Sequence, residues 1–217
     1  MTLRITIASD ADSWIHPWND RLEATLSASG HQVTRVTRAE DLTEGDQCFL
    51  LGCGFLVSPE RLALHRHNLV VHESALPLGR GWSPMTWQIL EGASEIPITL
   101  FEAAEAVDAG PIYLQDTMVF EGHELVEDLR RVQGQMTVAL CERFVSGFPQ
   151  IVDQARPQSG DSSNYGRRRP EDSRLDPEQS VADQFNLLRV VDNERYPAYF
   201  ELDGRRYTLQ ITRDDEA

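Results

Sequence analysis

Apolar positions along the first two thirds of the chain change spacing repeatedly, from every second residue to every third or fourth and back. Leu3, Ile5 and Ile7 alternate with polar neighbours and predict a strand. A helix is expected over about residues 17–29, where Gly30 stops it, and residues 31–36 alternate again as a second strand. Cys48-Phe49-Leu50-Leu51 is apolar without interruption, the pattern of a parallel strand buried on both faces. Ser58-Pro59-Glu60 opens a short helix with a serine cap and proline in its first turn, and residues 68–71 form a fourth strand. A helix over 84–90 ends before Gly92, and strands follow at 96–101 and 112–119 around a polar turn. A long helix over about 125–144 carries an apolar stripe at Leu125, Leu129, Val132, Met136, Leu140 and Phe144, which should lie on the sheet. Strands alternating with helices in this way predict an α/β fold, a sheet with flanking helices.

The pattern changes after Ile151. Residues 158–169 are polar and poor in apolar side chains, the composition of a linker or extended surface loop. Beyond them a helix is expected over 181–191, and strands over 196–202 and 205–211 form a hairpin about Asp203-Gly204. The expected organisation is a main domain over 1–151, a linker over 152–178 and a small helix-hairpin appendage over 179–217, too small to fold alone and so docked on the main domain.

Composition narrows the chemistry. All 20 cationic side chains are arginine and none is lysine. A Schiff-base nucleophile, a pyridoxal-phosphate anchor and the lysine-dependent phosphate loop are therefore absent. Against them stand 35 carboxylates and a formal charge of -15, which disfavours nucleic acid as a partner. No apolar run approaches the roughly 20 residues that span a bilayer. The opening residues read as a strand rather than a leader, so no membrane partner and a cytoplasmic location are expected. Cys48, Cys53 and Cys141 sit in mostly apolar contexts that suit reduced core thiols, and no metal site is expected from them.

Candidate chemistry concentrates between Asn68 and Pro84, where a strand ends in His72 and runs into a loop rich in turn formers. Ligands bind at the carboxyl ends of strands in open parallel sheets, and a histidine there can accept and return a proton near neutrality. It can equally be a structural hydrogen-bonder. Asp108, 36 residues later, stands on a tight turn before a strand. It either caps its own loop or sits beside His72, where it would fix the tautomer and raise the basicity of the ring.

Five short segments then occur in one order: His72-Glu-Ser74-Ala-Leu-Pro77, Arg80-Gly81-Trp-Ser-Pro84, Gln88-Ile-Leu-Glu-Gly92, Pro97-Ile-Thr99 and Asp108-Ala-Gly110. Over roughly residues 47–120 they resemble the formyltransferase family that uses N10-formyltetrahydrofolate. The later segments Arg168-Arg169-Pro170-Glu-Asp172-Ser173, Gln184-Phe-Asn186 and Asp192-Asn193-Glu-Arg195-Tyr196-Pro197-Ala198 look closest to the N-formyltransferases of nucleotide-linked aminosugars, of the kind found with pseudaminic-acid-type pathways. The resemblance implies a Rossmann-like formyltransferase sheet and formyl transfer from N10-formyltetrahydrofolate to the amine of a 4-amino deoxysugar nucleotide, with no metal required.

The resemblance also implies roles. His72 is the candidate base and oxyanion stabiliser, tuned by Asp108. The family's Asn-x-His pattern has Val70 at the asparagine position here. A valine cannot donate to an oxyanion, a contact that contributes on the order of 3 kcal/mol elsewhere. Asn68, Ser74, Gln88, a water or a backbone amide are the possible substitutes. The folate is expected against Leu51, Gly52, Cys53, Phe55 and Leu56 and against Val107, although Leu51 and Phe55 also read as ordinary core. Arg80 and Trp82 are placed to grip a sugar nucleotide or else to pack their own loop. Arg167, Arg168 and Arg169 form either a solvated charge run or a cationic guide for a phosphorylated substrate. Two rival functions remain open at this level, a hydrolase releasing formate from the folate and a non-catalytic binding partner. A homodimer is allowed and not specified.

Overall fold

A computed structural model of the chain describes residues 1–214. Its centre is a six-stranded sheet built from β1 (Arg4–Ala8), β2 (Gln32–Val36), β3 (Gly45–Leu50), β4 (His65–His72), β6 (Glu95–Glu102) and β7 (Ile112–Val119), in the order β2-β1-β3-β4-β6-β7. The four strands from β2 to β4 pair in parallel, whereas β6 runs antiparallel to β4 and β7 antiparallel to β6. Strand direction is what hydrophobic spacing leaves unspecified, since a period of two is the same either way. Pro97 lies inside β6 but outside its ladder with β4, which covers only Leu69↔Glu102 to His72↔Thr99. Its missing N–H therefore costs that ladder nothing.

The helices cover the two faces unequally. On one face α1 (His16–Ala28), α3 (Pro84–Leu90) and α4 (Val126–Gly147) bury the larger cluster, in which Leu22, Leu26, Ile89, Leu129, Leu140 and Phe144 meet Ile5, Ile7, Phe49, Leu69 and Ile98 of the strands. The expected α4 stripe faces the sheet, with Leu129, Leu140 and Phe144 buried and Val132 and Met136 packed at its edge. At Gly134 a side chain would run into the Trp18 indole, so the glycine sets how closely α1 lies against α4. The other face is shallower: α2 (Pro59–Leu62) and the loop after β3 cover Cys48, Leu50 and Val70.

The stretch expected as a linker or extended surface loop runs back along the segment after β4 as a strap. Its β8 (Asn164–Tyr165) pairs in parallel with β5 (Arg80–Gly81), and the indole of Trp87 on α3 stacks on Tyr165 with planes 11° apart. Beyond the strap, α5 (Phe185–Val190) and a hairpin of β9 (Ala198–Leu202) and β10 (Arg205–Leu209) enclose a small cluster of Leu175, Leu188, Val191 and Ala198. A pair buried on both sides, Arg189–Glu124 at 2.8 Å, ties this appendage to the start of α4. The hairpin turns at Asp203 and Gly204, both with positive φ, as a two-residue turn requires. The helix expected over 181–191 is shorter than its pattern. Ser180 Oγ accepts from the Asp183 amide, and Gln184 bonds the backbone of Asp176, which diverts residues 181–184 into a turn. Residues 215–217 of the expected appendage lie outside the described residues.

Candidate active site

β4 ends at His72, and the chain beyond it folds over the imidazole. The ring's Nε2 donates to the Gly79 carbonyl at 2.8 Å, which leaves Nδ1 as the unprotonated nitrogen of the neutral ring. Asp108 Oδ2 is 3.8 Å from the same Nε2, and both side chains are about nine-tenths buried. The carbonyl of Gly79, rather than Asp108 as expected from sequence, thus fixes the tautomer. Asp108 accepts from the Gly81 amide at 2.9 Å and stands close enough to stabilise an imidazolium.

A loop over residues 103–111 carries Asp108 back to this strand end. One side of it is anchored where the Ala103 amide meets the Asn68 carbonyl, and the other where Gln158 Nε2 donates to the carbonyls of Asp108 and Gly110 at 2.8 and 2.9 Å. Gly110 admits no side chain, because a Cβ there would strike the Glu102 carbonyl. Asp108 itself has φ +52, a conformation aspartate tolerates better than most residues.

Several residues singled out from sequence are held elsewhere. Asn68 lies four residues back along β4, about 13 Å away, and its amide donates to the Leu62 carbonyl on α2. Val70, on the same face as His72, packs among Leu76, Phe101 and Ile112. Gln88 is a brace, its amide donating to the carbonyls of Glu73 and Pro84. The Arg80 guanidinium is engaged by Gln158 at 2.6 Å and lies outside the cleft that Trp82 lines. Leu51 is fully buried core. Ser74 does remain at the site, adjoining Gly79, with a buried Oγ that has no hydrogen-bond partner among the described residues.

The rest of the loop after β3 is open. The Gly52 carbonyl accepts from Ser13, the Gly54 amide donates to Asp10, and Cys53 Sγ donates to the Ala8 carbonyl. Phe55 is half-buried against the shallow face, while Leu56 on this loop and Val107 on the next are 78% and 55% exposed. Burial pushes the Cys48 thiol up to about 12 and raises Cys53 and Cys141 as well, so none supplies a thiolate near neutrality. Among the described residues no three His, Cys, Asp or Glu side chains gather for a metal, and no helix is long and apolar enough to cross a membrane.

On the other side of the strand end a cleft of about 300 Å³ is lined by Trp14, Trp82, Arg130, Gln133, Arg167, Arg168 and Arg169, with Glu73 among its walls. The structure brings the expected Trp82, Arg168 and Arg169 together here. Arg167 stacks over the Trp82 ring at 4.8 Å, and Arg168, its charge disfavoured by burial, donates to the Asp172 carbonyl. Glu73 was not legible as a site residue. The only signal was a lone charge directly after His72, which alternation along β4 turns to the opposite side.

Residues 15–142 match the model of the Formyl transferase family. Methionyl-tRNA formyltransferase of Cutibacterium acnes is 27% identical over 202 residues, covering 90% of this chain and 61% of that protein, so the chain spans somewhat under two thirds of its relative's length. Methionyl-tRNA formyltransferase from Clostridium thermocellum superposes with a TM-score of 0.79 at 18% identity, over 99% of this chain and 95% of that one. A 4-N formyltransferase from Francisella tularensis gives 0.72 at 15% identity, over 98% of each chain. The matched segment takes in more than half of the residues and both His72 and Asp108, and the chain belongs to the formyl transferase family.

Proposed function

We propose that this chain transfers a formyl group from N10-formyltetrahydrofolate to the amino group of a nucleotide-linked 4-amino deoxysugar. The observation that carries the choice of acceptor is the cleft at the end of β4, walled by Glu73, the residue after His72. There an exposed indole and three consecutive arginines converge on a chain of net charge -15, a combination suited to a ring and a pyrophosphate. The fold shared with a 4-N formyltransferase is consistent with it.

Gly52, Cys53, Phe55, Leu56 and Val107 would hold the folate, and the exposed apolar side chains of Leu56 and Val107 suit a flat ring. Bound there, it supplies the formyl carbon. His72 Nδ1 takes a proton from the attacking nitrogen, and Asp108 with the Gly79 carbonyl stabilises the resulting imidazolium. Val70 offers no hydrogen-bond donor, and we assign that part to the unpaired Ser74 hydroxyl.

The test is tetrahydrofolate release with and without 4-amino-4,6-dideoxy sugar nucleotides. Release that depends on the amine supports the transferase, release without it indicates a hydrolase, and none under either condition indicates a binding protein. His72→Ala should lower amine-dependent turnover by about 10²–10⁴-fold with the fold retained; wild-type turnover in that variant would remove His72 from the mechanism.

A further inference from the structure

Glu73 is a carboxylate waiting for a cation. It follows His72 at the end of β4, is half-buried, and lines the same cleft as four arginines. Yet no ion pair forms to it among the described residues. Arg130 is committed to Asp192 at 2.9 Å, Arg167 to the Trp82 ring, and Arg168 to Asp172 and Ser173. Among the described residues only Gln133, at 2.7 Å, and its own backbone amide donate to the carboxylate. Buried charges are normally paired, because the desolvation they suffer is otherwise uncompensated. A cleft lined by four arginines and by one carboxylate with no ion pair among the described residues is complementary to a molecule that brings both phosphates and a cation.

We propose that Glu73 receives the ammonium group of the acceptor while Arg167, Arg168 and Arg169 hold its phosphates, so that the cleft selects an amine over the corresponding alcohol. This rests on the amine-acceptor reading given above. The ammonium must lose a proton before its nitrogen can attack, and Glu73 is the carboxylate in place to take it. Of the three hydrogens, that one passes through Glu73 to water, one goes to the departing nitrogen of the formyl donor, and one stays on the product formamide. Burial raises the Glu73 carboxyl above the usual range, and nearby Asp108 raises it further, while His72 and Gln133 act against them. A raised carboxyl is the stronger base toward an ammonium once ionised. The charged and ionisable groups around it are Arg130 on α4, Arg167, Arg168 and Arg169 on the strap, Asp192 paired with Arg130, Tyr196, and the neighbouring His72 and Asp108.

The experiment is calorimetric titration of the full chain, without folate, with a 4-amino-4,6-dideoxy sugar nucleotide and with the same nucleotide sugar bearing a 4-hydroxyl. The wild type should bind the amine at least about tenfold tighter, the equivalent of 1.4 kcal/mol. Glu73→Gln, which keeps an oxygen for Gln133, should bind the two alike, and Glu73→Asp should recover part of the preference. Lowering pH should erode the wild-type preference as Glu73 becomes protonated and leave Glu73→Gln unchanged. Equal affinities in the wild type, or an undiminished preference in Glu73→Gln, overturn the role of Glu73 and leave the sugar-nucleotide reading standing. Binding of neither compound overturns both.

Discussion

A half-buried carboxylate without an ion pair costs stability at neutral pH, and Glu73 has none among the described residues. Because burial raises its folded pKa, the native state disfavours the charged form. The stability penalty is absent below the unfolded carboxyl range near pH 4.3, grows as pH rises through the interval up to the folded value, and is constant above it. Glu73→Gln should therefore melt higher than the wild type at pH 7, by about 2–4 °C for about 1 kcal/mol, and the difference should vanish near pH 4. Parallel melting curves at the two pH values check this. Single residues were the least legible level of the sequence. His72 and Asp108 could be found because they stand at a strand end and on a tight turn. The idleness of Asn68 and Gln88 could not, since both are ordinary polar side chains whose partners, Leu62, Glu73 and Pro84 carbonyls, are set by tertiary packing. Gly81 is intermediate: its φ of +98 and its contact with the Tyr165 carbonyl explain why a glycine follows Arg80, but that carbonyl is 84 residues away in sequence.

Among elements, the strap shows what spacing cannot reveal. A polar, glycine-containing stretch reads as a linker or surface loop because nothing in it alternates, and the spacing does not show that the Ser163 and Tyr165 carbonyls accept from Arg80 and Trp82 or that the Gly79 amide donates to Ser163 Oγ. Gln158 is the joint between this strap and the Asp108 loop. It accepts from Arg80 and donates to two carbonyls of the loop. Gln158→Ala should cost about 1–3 kcal/mol in denaturant unfolding, since it strands a partly buried guanidinium whose Nε already has no partner among the described residues. It should also speed hydrogen exchange at the Gly81 amide that Asp108 binds. Wild-type protection at Gly81 would show that the loop holds itself. By contrast the sheet strands, α1, α3 and α4 were all legible within a few residues, because each buries a regular apolar face. The exceptions were β6 and β7, whose direction follows from connections rather than from periodicity.

At the scale of the whole molecule, 35 carboxylates against 20 arginines leave a surface that repels itself. Many of its ion pairs, such as Arg38–Asp41 and Arg143–Asp116, are exposed on both sides and contribute little. Screening should thus relieve more repulsion than it removes attraction, and the melting temperature should rise by a few degrees between low and moderate sodium chloride. A fall over that range would mean that the exposed pairs outweigh the net charge. The strap has one more consequence, in time rather than in space. A chain is made from its amino end, so the sheet, His72 and the Arg80-Gly81 edge emerge before Asn164 and Tyr165, which close over them. Synthesis halted between the two would leave β5 without its partner strand, and the cleft that Arg167, Arg168 and Arg169 line is complete only as the last third of the chain arrives.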